Sequence, residues 1–409
     1  MHNKYFFIFI FFLSYLHLYS QTHIDIRLDE GEDIEVKLAD VNLSKLTSIN
    51  IAGTSNMLEF AWKEKTPNLQ RVDLSGLSNL KEIPAYAFSE TRIKEIKLPS
   101  SLENIGYYSF SQCANLISID LKHCTHFKTI DVCAFEDSGI SEISFSESTD
   151  TIMNAAFENC KNLRIIDLEH CSGLTEIAPR AFFNSGIQSV KLPQSITSIK
   201  DQTFYSCKNL EELDLSNCIT LTYIGSSAFY NSNIKKIKLP TSLQYIDKWA
   251  FTESNICSID LSNTNLEVID SRAFAKTPIS VILFPSSLKV LGIGAFAETK
   301  NLEEVDLSQA INLVGLDVEC FSESNLKSIT LPASLQIINQ SAFNKCKKLK
   351  NITCLAETPP LIDSVNYFDD ENSVKQLSIN KCQVFVPQTA LKKYKIASGW
   401  KNLIVSGIN

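Results

Sequence analysis

Residues 207–229 read CKNLEELDLSNCITLTYIGSSAF, and residues 230–251 read YNSNIKKIKLPTSLQYIDKWAF. Set one above the other, the two stretches run through the same steps. An apolar-x-x-apolar-x-apolar segment comes first (Leu210–Leu215, then Ile234–Leu239), and an isoleucine with a phenylalanine five residues on closes each copy (Ile224 and Phe229, then Ile246 and Phe251). The last three positions of the segment alternate inward, outward, inward, which is the period of a half-buried strand. One strand of that length cannot bury its inner face alone. The copies must therefore stack, with strands side by side in a parallel sheet and the phenylalanines closing a shared core.

The phrase recurs twelve times, from Ile83 and Phe88 to Ile338 and Phe343. Successive phenylalanines lie 22, 25, 22, 25, 22, 25, 22, 23, 22, 25 and 22 residues apart, so the true unit is a pair of repeats, usually 47 residues long. Such a period marks a solenoid. A length of 409 residues, 44% apolar, would otherwise suggest two or three domains, but a repeat array lengthens along one axis without dividing. The expected fold is an α/β-type repeat: a single curved leucine-rich-repeat solenoid of about thirteen units, with one short parallel strand per unit and both ends capped. In alternate units the strand ends in Leu-Pro, at Leu98-Pro99, Leu192-Pro193, Leu239-Pro240 and Leu331-Pro332. Proline brings no amide to a ladder, so pairing should stop there.

The outward residue before the last apolar position runs Asp73, Lys97, Asp120, Ser144, Asp167, Lys191, Asp214, Lys238, Asp260, Leu283, Asp306, Thr330. Neighbouring strands stand about 4.8 Å apart, so a uniform Asp column would set like charges side by side. Alternating Lys turns that repulsion into attraction, and the column reads as a balanced sheet face rather than a charged binding strip. A formal net charge of −8 without a Lys/Arg cluster argues against nucleic acid or anionic membrane as a general partner. Twelve cysteines invite a disulfide framework, yet Cys113, Cys160 and Cys207 lie 47 apart, as do Cys124, Cys171 and Cys218. Cysteines that recur with the repeat behave as small buried apolar residues, so thiols are expected in place of bridges.

At the start, Lys4, the apolar run Tyr5–Leu18 and Ser20 before Gln21 read as a secretory signal peptide over residues 1–20. The run is short for a membrane span, and nothing later is apolar enough to be one. Residues 21–45 are expected to form a hairpin-like N-terminal cap, with Ile24–Leu28 and Ile34–Leu38 alternating around Asp29–Asp33. The solenoid then covers 46–355. Residues 356–409 should be a C-terminal capping segment, in which a polar stretch from Asp363 to Lys381 precedes a strand and a short helix.

These residues resemble the BspA-like leucine-rich repeats, whose unit reads roughly C-x-x-L-x-x-I-x-L-P-x-S-(L/I/V)-x-x-I-x-x-x-A-F. Cys207, Leu210, Leu213 and Leu215 match its first half; Ile237, Leu239, Pro240, Ser242, Leu243, Ile246, Ala250 and Phe251 match the rest. The resemblance extends over about 46–355. The tail, with Pro359-Pro360, Phe385, Pro387, Leu391, Tyr394 and Trp400, looks like the closing segment of such proteins in Bacteroidetes-type bacteria. The resemblance implies a secreted or cell-surface protein, with the periplasm a further option, engaged in adhesion or in binding host matrix proteins or glycans.

Chemistry is sparse. Cys113, Cys124, Cys160, Cys171, His123 and His170 are zinc-ligand types, but His123-Cys124 and His170-Cys171 are the register equivalents of Asn217-Cys218, and the repeat accounts for them. No metal and no cofactor is expected. There is no Gly-rich phosphate loop, H-E-x-x-H or G-x-S-x-G, so no catalytic residue is singled out and an enzyme is a distant alternative. One aromatic set stands out. The position after the repeat phenylalanine, small or polar in most units, becomes Phe183, Tyr205 and Tyr230, and a neighbouring position gives Tyr223 and Tyr245, with Trp249 close by. These rings read either as a ligand-contact stripe, since Tyr and Trp dominate binding hot spots, or as a shield packed over the phenylalanine layer. The expected function is an exported, non-catalytic scaffold that binds an unidentified extracellular protein or glycan. The alternative is a passive envelope protein without a specific ligand. The sequence fixes no oligomeric state.

Overall fold

The computed structural model describes residues 21–339, 341–363 and 382–408. The signal-peptide reading of residues 1–20 and the polar stretch after Asp363 lie outside the described residues. The chain divides into two compact units, up to Pro193 and from Gln194. Each is a stretch of parallel-strand β-solenoid.

In the N-terminal unit, strands His23–Arg27, Ser48–Gly53, Arg71–Leu77 and Glu95–Lys97 pair in parallel. Ser118–Asp120 then pairs with Glu142–Ser144, and Ile165–Asp167 with Ser189–Lys191. In the C-terminal unit the same position gives the pairs Glu212–Asp214 with Lys236–Lys238 and Ser258–Asp260 with Val281–Leu283. It continues as Glu304–Asp306, Ser328–Leu331, Asn351–Cys354, Gln383–Pro387 and Ile404–Ile408. The strands that lead into Leu-Pro end at Lys97, Lys191, Lys238 and Leu331, at or before the leucine, as an imino residue without an N–H requires.

The single strand per unit is joined by a second one, two residues long, that ends in the repeat isoleucine. Glu82–Ile83, Asn104–Ile105, Thr129–Ile130 and Thr151–Ile152 pair in this way. So do Ser198–Ile199, Tyr223–Ile224, Tyr245–Ile246, Val268–Ile269 and Val290–Leu291 in the C-terminal unit, while Gly315–Leu316 and the three-residue strands Ile337–Asn339 and Leu361–Asp363 pair in that order in a separate sheet. Helix is scarce: among the described residues no α-helix lies between Lys65 and Leu391.

What replaces a helix is a turn around each phenylalanine. The residues two before and two after it take positive φ, 59° at Tyr86 and 57° at Glu90 around Phe88, 57° at Trp249 and 58° at Glu253 around Phe251. Between these two positions the N–H groups of alternate residues face the next coil. Tyr86, Phe88 and Glu90 thus donate to the carbonyls of Tyr107, Ser109 and Ser111 in the next coil at 2.9, 2.8 and 2.8 Å. The turn is a third inter-coil ladder, and it satisfies backbone groups that would otherwise be buried and unpaired. Inside it the rings stack. Phe88, Phe110, Phe135 and Phe157 follow one another at 5.6, 5.3 and 5.2 Å between centroids, and Phe229, Phe251, Phe274 and Phe296 at 5.0, 5.1 and 5.3 Å, all fully buried.

The cysteines complete this layer. All twelve are free thiols and only Cys257 is exposed. Three residues after the phenylalanine the chain carries either a hydroxyl or a thiol, and both serve one acceptor. The Phe88 carbonyl takes the Thr91 hydroxyl at 2.7 Å from its own coil and the Cys113 Sγ at 2.8 Å from the next. Cys160 and Cys346 reach back to Phe135 and Phe321 at 3.0 Å each.

The N-terminal residues differ from the hairpin expected there. His23–Arg27 is a parallel partner of Ser48–Gly53, and Ile34–Lys37 is a short helix whose N-cap Asp33 accepts the Glu35 N–H at 2.7 Å. Ile34, Val36 and Leu38 suit either period, but the i, i+4 spacing of Ile34 and Leu38 wins: both are buried while Val36 is 72% exposed. In the tail, the strand Gln383–Pro387 and the helix Leu391–Ile396 are followed by one more parallel strand, Ile404–Ile408. Tyr394 donates its hydroxyl to the Ala356 carbonyl at 2.9 Å, and Trp400 its Nε1–H to the Pro360 carbonyl at 2.8 Å.

Candidate functional surface

The first-strand column places charge next to charge. Asp73 and Lys97 are 3.0 Å apart, Asp167 and Lys191 3.2 Å, Asp214 and Lys238 2.7 Å. Register sets Asp120 beside Ser144, Asp260 beside Leu283 and Asp306 beside Thr330. Where lysine gives way to Ser144, a depression of about 730 Å³ opens, lined by Lys122, Ser144, Phe145, Glu147, Asp167 and His170. A smaller one, about 490 Å³, lies by the N-terminal helix between Ile34, Met57 and Phe60, with Glu32, Asp33 and Glu59 at its wall. The zinc-ligand types are held by the repeat: the His123 Nε2 lies 2.8 Å from the Leu98 carbonyl, and the Cys124 and Cys171 thiols donate to Pro99 and Ser146 carbonyls at 3.3 and 3.4 Å. Among the described residues no three His, Cys, Asp or Glu side chains are grouped to hold a metal ion.

The five aromatic residues fall into three settings. Phe183, half-buried, lies in the N-terminal unit under the Arg180 guanidinium, 4.0 Å from its ring centroid. Arg180 itself grips Glu158 through two hydrogen bonds of 2.6 and 3.0 Å. In the C-terminal unit Tyr205 and Tyr230 stack at 5.0 Å with planes 7° apart, just beyond the phenylalanine ladder. Tyr223 and Tyr245 occupy a different position, the outward residue of the second strand, where their rings lie 5.7 Å apart. Tyr223 donates to Asp247, and Tyr245 to Asp270 at 2.5 Å. Burial and the Asp247 carboxylate raise the Tyr223 phenol well above its ordinary range; for Tyr245 the hydrogen bond to Asp270 leads, with burial second. All four tyrosines are half-buried, with one face toward solvent.

The sequence reading missed what continues from Tyr223 and Tyr245. Along the second strands the outward residue becomes Val268 and Val290 in one sheet, then Gly315, Ile337 and Leu361 in a separate three-stranded sheet. Val290 is 44% exposed, Ile337 38% and Leu361 71%. Reading the residue before each repeat isoleucine down the chain would have shown this column, because in the N-terminal unit the same position is Glu82, Asn104, Thr129, Thr151 and Glu176.

Comparison with known proteins agrees with the coil geometry. A sequence model described as the BspA type leucine rich repeat region, in six copies, matches residues 41–164, 128–254, 175–303 and 267–397. Among solved structures, a leucine-rich repeat protein from Bacteroides ovatus is 21% identical, with a TM-score of 0.53, covering 89% of this chain and 88% of that one. A leucine rich cell surface protein from Faecalibacterium prausnitzii is 18% identical with a TM-score of 0.35, covering 82% and 88%. The pneumococcal vaccine antigen PcpA is 17% identical with a TM-score of 0.41, covering 89% and 79%. A comparison with curated proteins found no match. Matched over far more than half its length by one repeat model, and coiled as that repeat demands, the chain belongs to the BspA-type leucine-rich-repeat family.

Proposed function

We propose that this chain is an exported, non-catalytic scaffold that binds an extracellular protein or glycan through its repeat surface, in adhesion or host contact. The supporting observation is the surface itself. Leucine-rich-repeat proteins of this family are commonly surface proteins engaged in binding, and here the second sheet and the turns present stacked tyrosines that a solvated sheet face does not need. In this reading residues 1–20 are removed on export, 46–355 form the binding array, and 21–45 and 356–409 close its ends. No helix among the described residues is long and apolar enough to cross a membrane.

The test is capture of residues 21–409 by a panel of host matrix proteins and glycans, run beside the double variant Tyr205→Ser and Tyr230→Ser. Saturable capture by the parent chain supports the scaffold. Equal capture by a folded double variant removes that tyrosine pair from the contact. A second reading, a passive envelope protein, draws on the first-strand column, where Asp73, Asp167 and Asp214 spend their charge on a lysine of the next coil rather than on a ligand.

A further inference from the structure

We infer that the outward column of the second strands in the C-terminal unit, from Tyr223 to Leu361, is a docking face for a polypeptide segment that is aliphatic and rich in lysine or arginine. This rests on the reading of the chain as a binding scaffold and gives that binding a face and a partner class.

The column is not required by the fold. Its backbone and inward isoleucines are the same in both units, and the N-terminal unit builds them with Thr129, Thr151 and Glu176 facing outward. Threonine has the branched Cβ that a strand favours, so valine and isoleucine at 268, 290 and 337 add nothing to strand formation. They add exposed apolar area, joined by Val314 at 47% exposure beside Gly315. Apolar residues grouped along one face of a protein surface mark a contact site, whereas isolated ones do not. The stacked pair Tyr223 and Tyr245 begins the row with the residue type that anchors interfaces.

The border of the row carries fixed carboxylates. Asp247, Asp270 and Asp317 each follow an inward isoleucine or leucine, and each is pinned by the N–H of the next residue, Lys248, Ser271 and Val318, at 2.6, 2.5 and 2.7 Å. Asp247 and Asp270 also take the tyrosine phenols of the preceding coil. Asp317 follows a coil whose outward residue is Val290, which has no hydroxyl to offer. Cations stand among these carboxylates: Lys289 is held by Glu267 at 2.8 Å, and Lys248 lies over the Trp249 ring and also attracts the Asp270 carboxylate. An apolar row with fixed carboxylates beside it complements aliphatic side chains flanked by cations. It offers aliphatic rungs few hydrogen bonds for sugar hydroxyls, so a polypeptide is favoured over a glycan.

The experiment measures binding of residues 21–409 to three fluorescent peptides: alternating Leu-Lys, alternating Leu-Glu and alternating Ser-Lys. It compares the parent chain with the triple variant Val268→Thr, Val290→Thr, Ile337→Thr, and with Asp317→Asn. The expected result is saturable binding of Leu-Lys alone, weakened about tenfold or more by the triple variant and a few-fold by Asp317→Asn. Unchanged Leu-Lys affinity in the triple variant, or equal binding of Leu-Glu, overturns the assignment. Circular dichroism checks the fold, and Val290→Thr alone replaces the triple variant if that does not fold. The matrix and glycan panel separates the two readings. Capture of a panel protein that the triple variant keeps sinks the face and leaves the scaffold. A blank panel with Leu-Lys binding intact sinks the host-ligand reading and leaves the face. Loss of glycan capture in the triple variant overturns the partner class.

Discussion

Cys160 sits wholly inside the layer behind the phenylalanines, and burial pushes its thiol up to about 12; Cys113 is pushed to about 11 for the same reason. Such thiols are inert because little thiolate forms and no reagent reaches them. A thiol-reactive dye should therefore modify Cys257 quickly in the folded protein and all twelve cysteines after denaturation. Fewer than twelve in denaturant would reveal bridges. Phe229 is the opposite kind of residue, large and stacked between Phe204 at 5.4 Å and Phe251 at 5.0 Å. Phe229→Ala should cost about 3–5 kcal/mol in urea unfolding, the range for large cavities in well-packed cores. Asp214 tests the charge column. The hydrogen bonds from Lys238 and then from Ser216 hold its carboxyl down at about 2. Its stabilisation is complete above the unfolded carboxyl's value of about 4 and disappears as pH falls towards about 2. The Asp214→Asn protein should accordingly lose less urea resistance than the parent chain across that window. The difference will be small, because the pair is solvent-exposed.

Strands were legible because period-2 alternation repeated at fixed spacing leaves one solution, and the phenylalanine ladder because one ring recurs in twelve coils. The second strand was not, since two residues are too few to show a period. Nor was the turn ladder. Its left-handed positions hold Tyr, Glu, Gln, Cys, Asp, Ala, Asn, Arg, Ser, Trp and Lys, a mixture with no compositional mark, although glycine is the residue that normally tolerates such φ. That mixture makes a prediction. Ala155 has φ 54° and its amide is used by the Pro179 carbonyl at 3.1 Å. Ala155→Gly should raise the unfolding midpoint or leave it unchanged, by up to about 1 kcal/mol. Ala155→Val should lower it by more, because a branched Cβ is strained at positive φ. The reverse order would mean that the turn is not held left-handed in solution. Of the candidate surface, the sequence exposed the tyrosines but not their neighbours, because Val and Ile at a strand position look like core until the register shows which way they face.

Each coil touches the coils beside it, so within a unit stability should be the sum of neighbour terms rather than one global quantity. In the C-terminal unit, Phe229→Ala is expected to raise amide exchange in Tyr223–Ile224 and Tyr245–Ile246 while Asn351–Cys354 keeps its protection. Uniform loss of protection through the unit would contradict that additivity. The same modularity explains how function can be hard to read from this chain: the inner face is copied from coil to coil, and only the outward residues are free to differ. Family and fold follow from the copied positions, and a ligand would follow from the rest. The most direct measurement of the proposed binding is equilibrium titration of folded residues 21–409 with a concentration series of each host matrix protein and glycan. A binding scaffold gives a saturable isotherm with at least one of them. Linear, non-saturating signal with every member of the panel would contradict the scaffold reading and leave an envelope protein without a specific ligand.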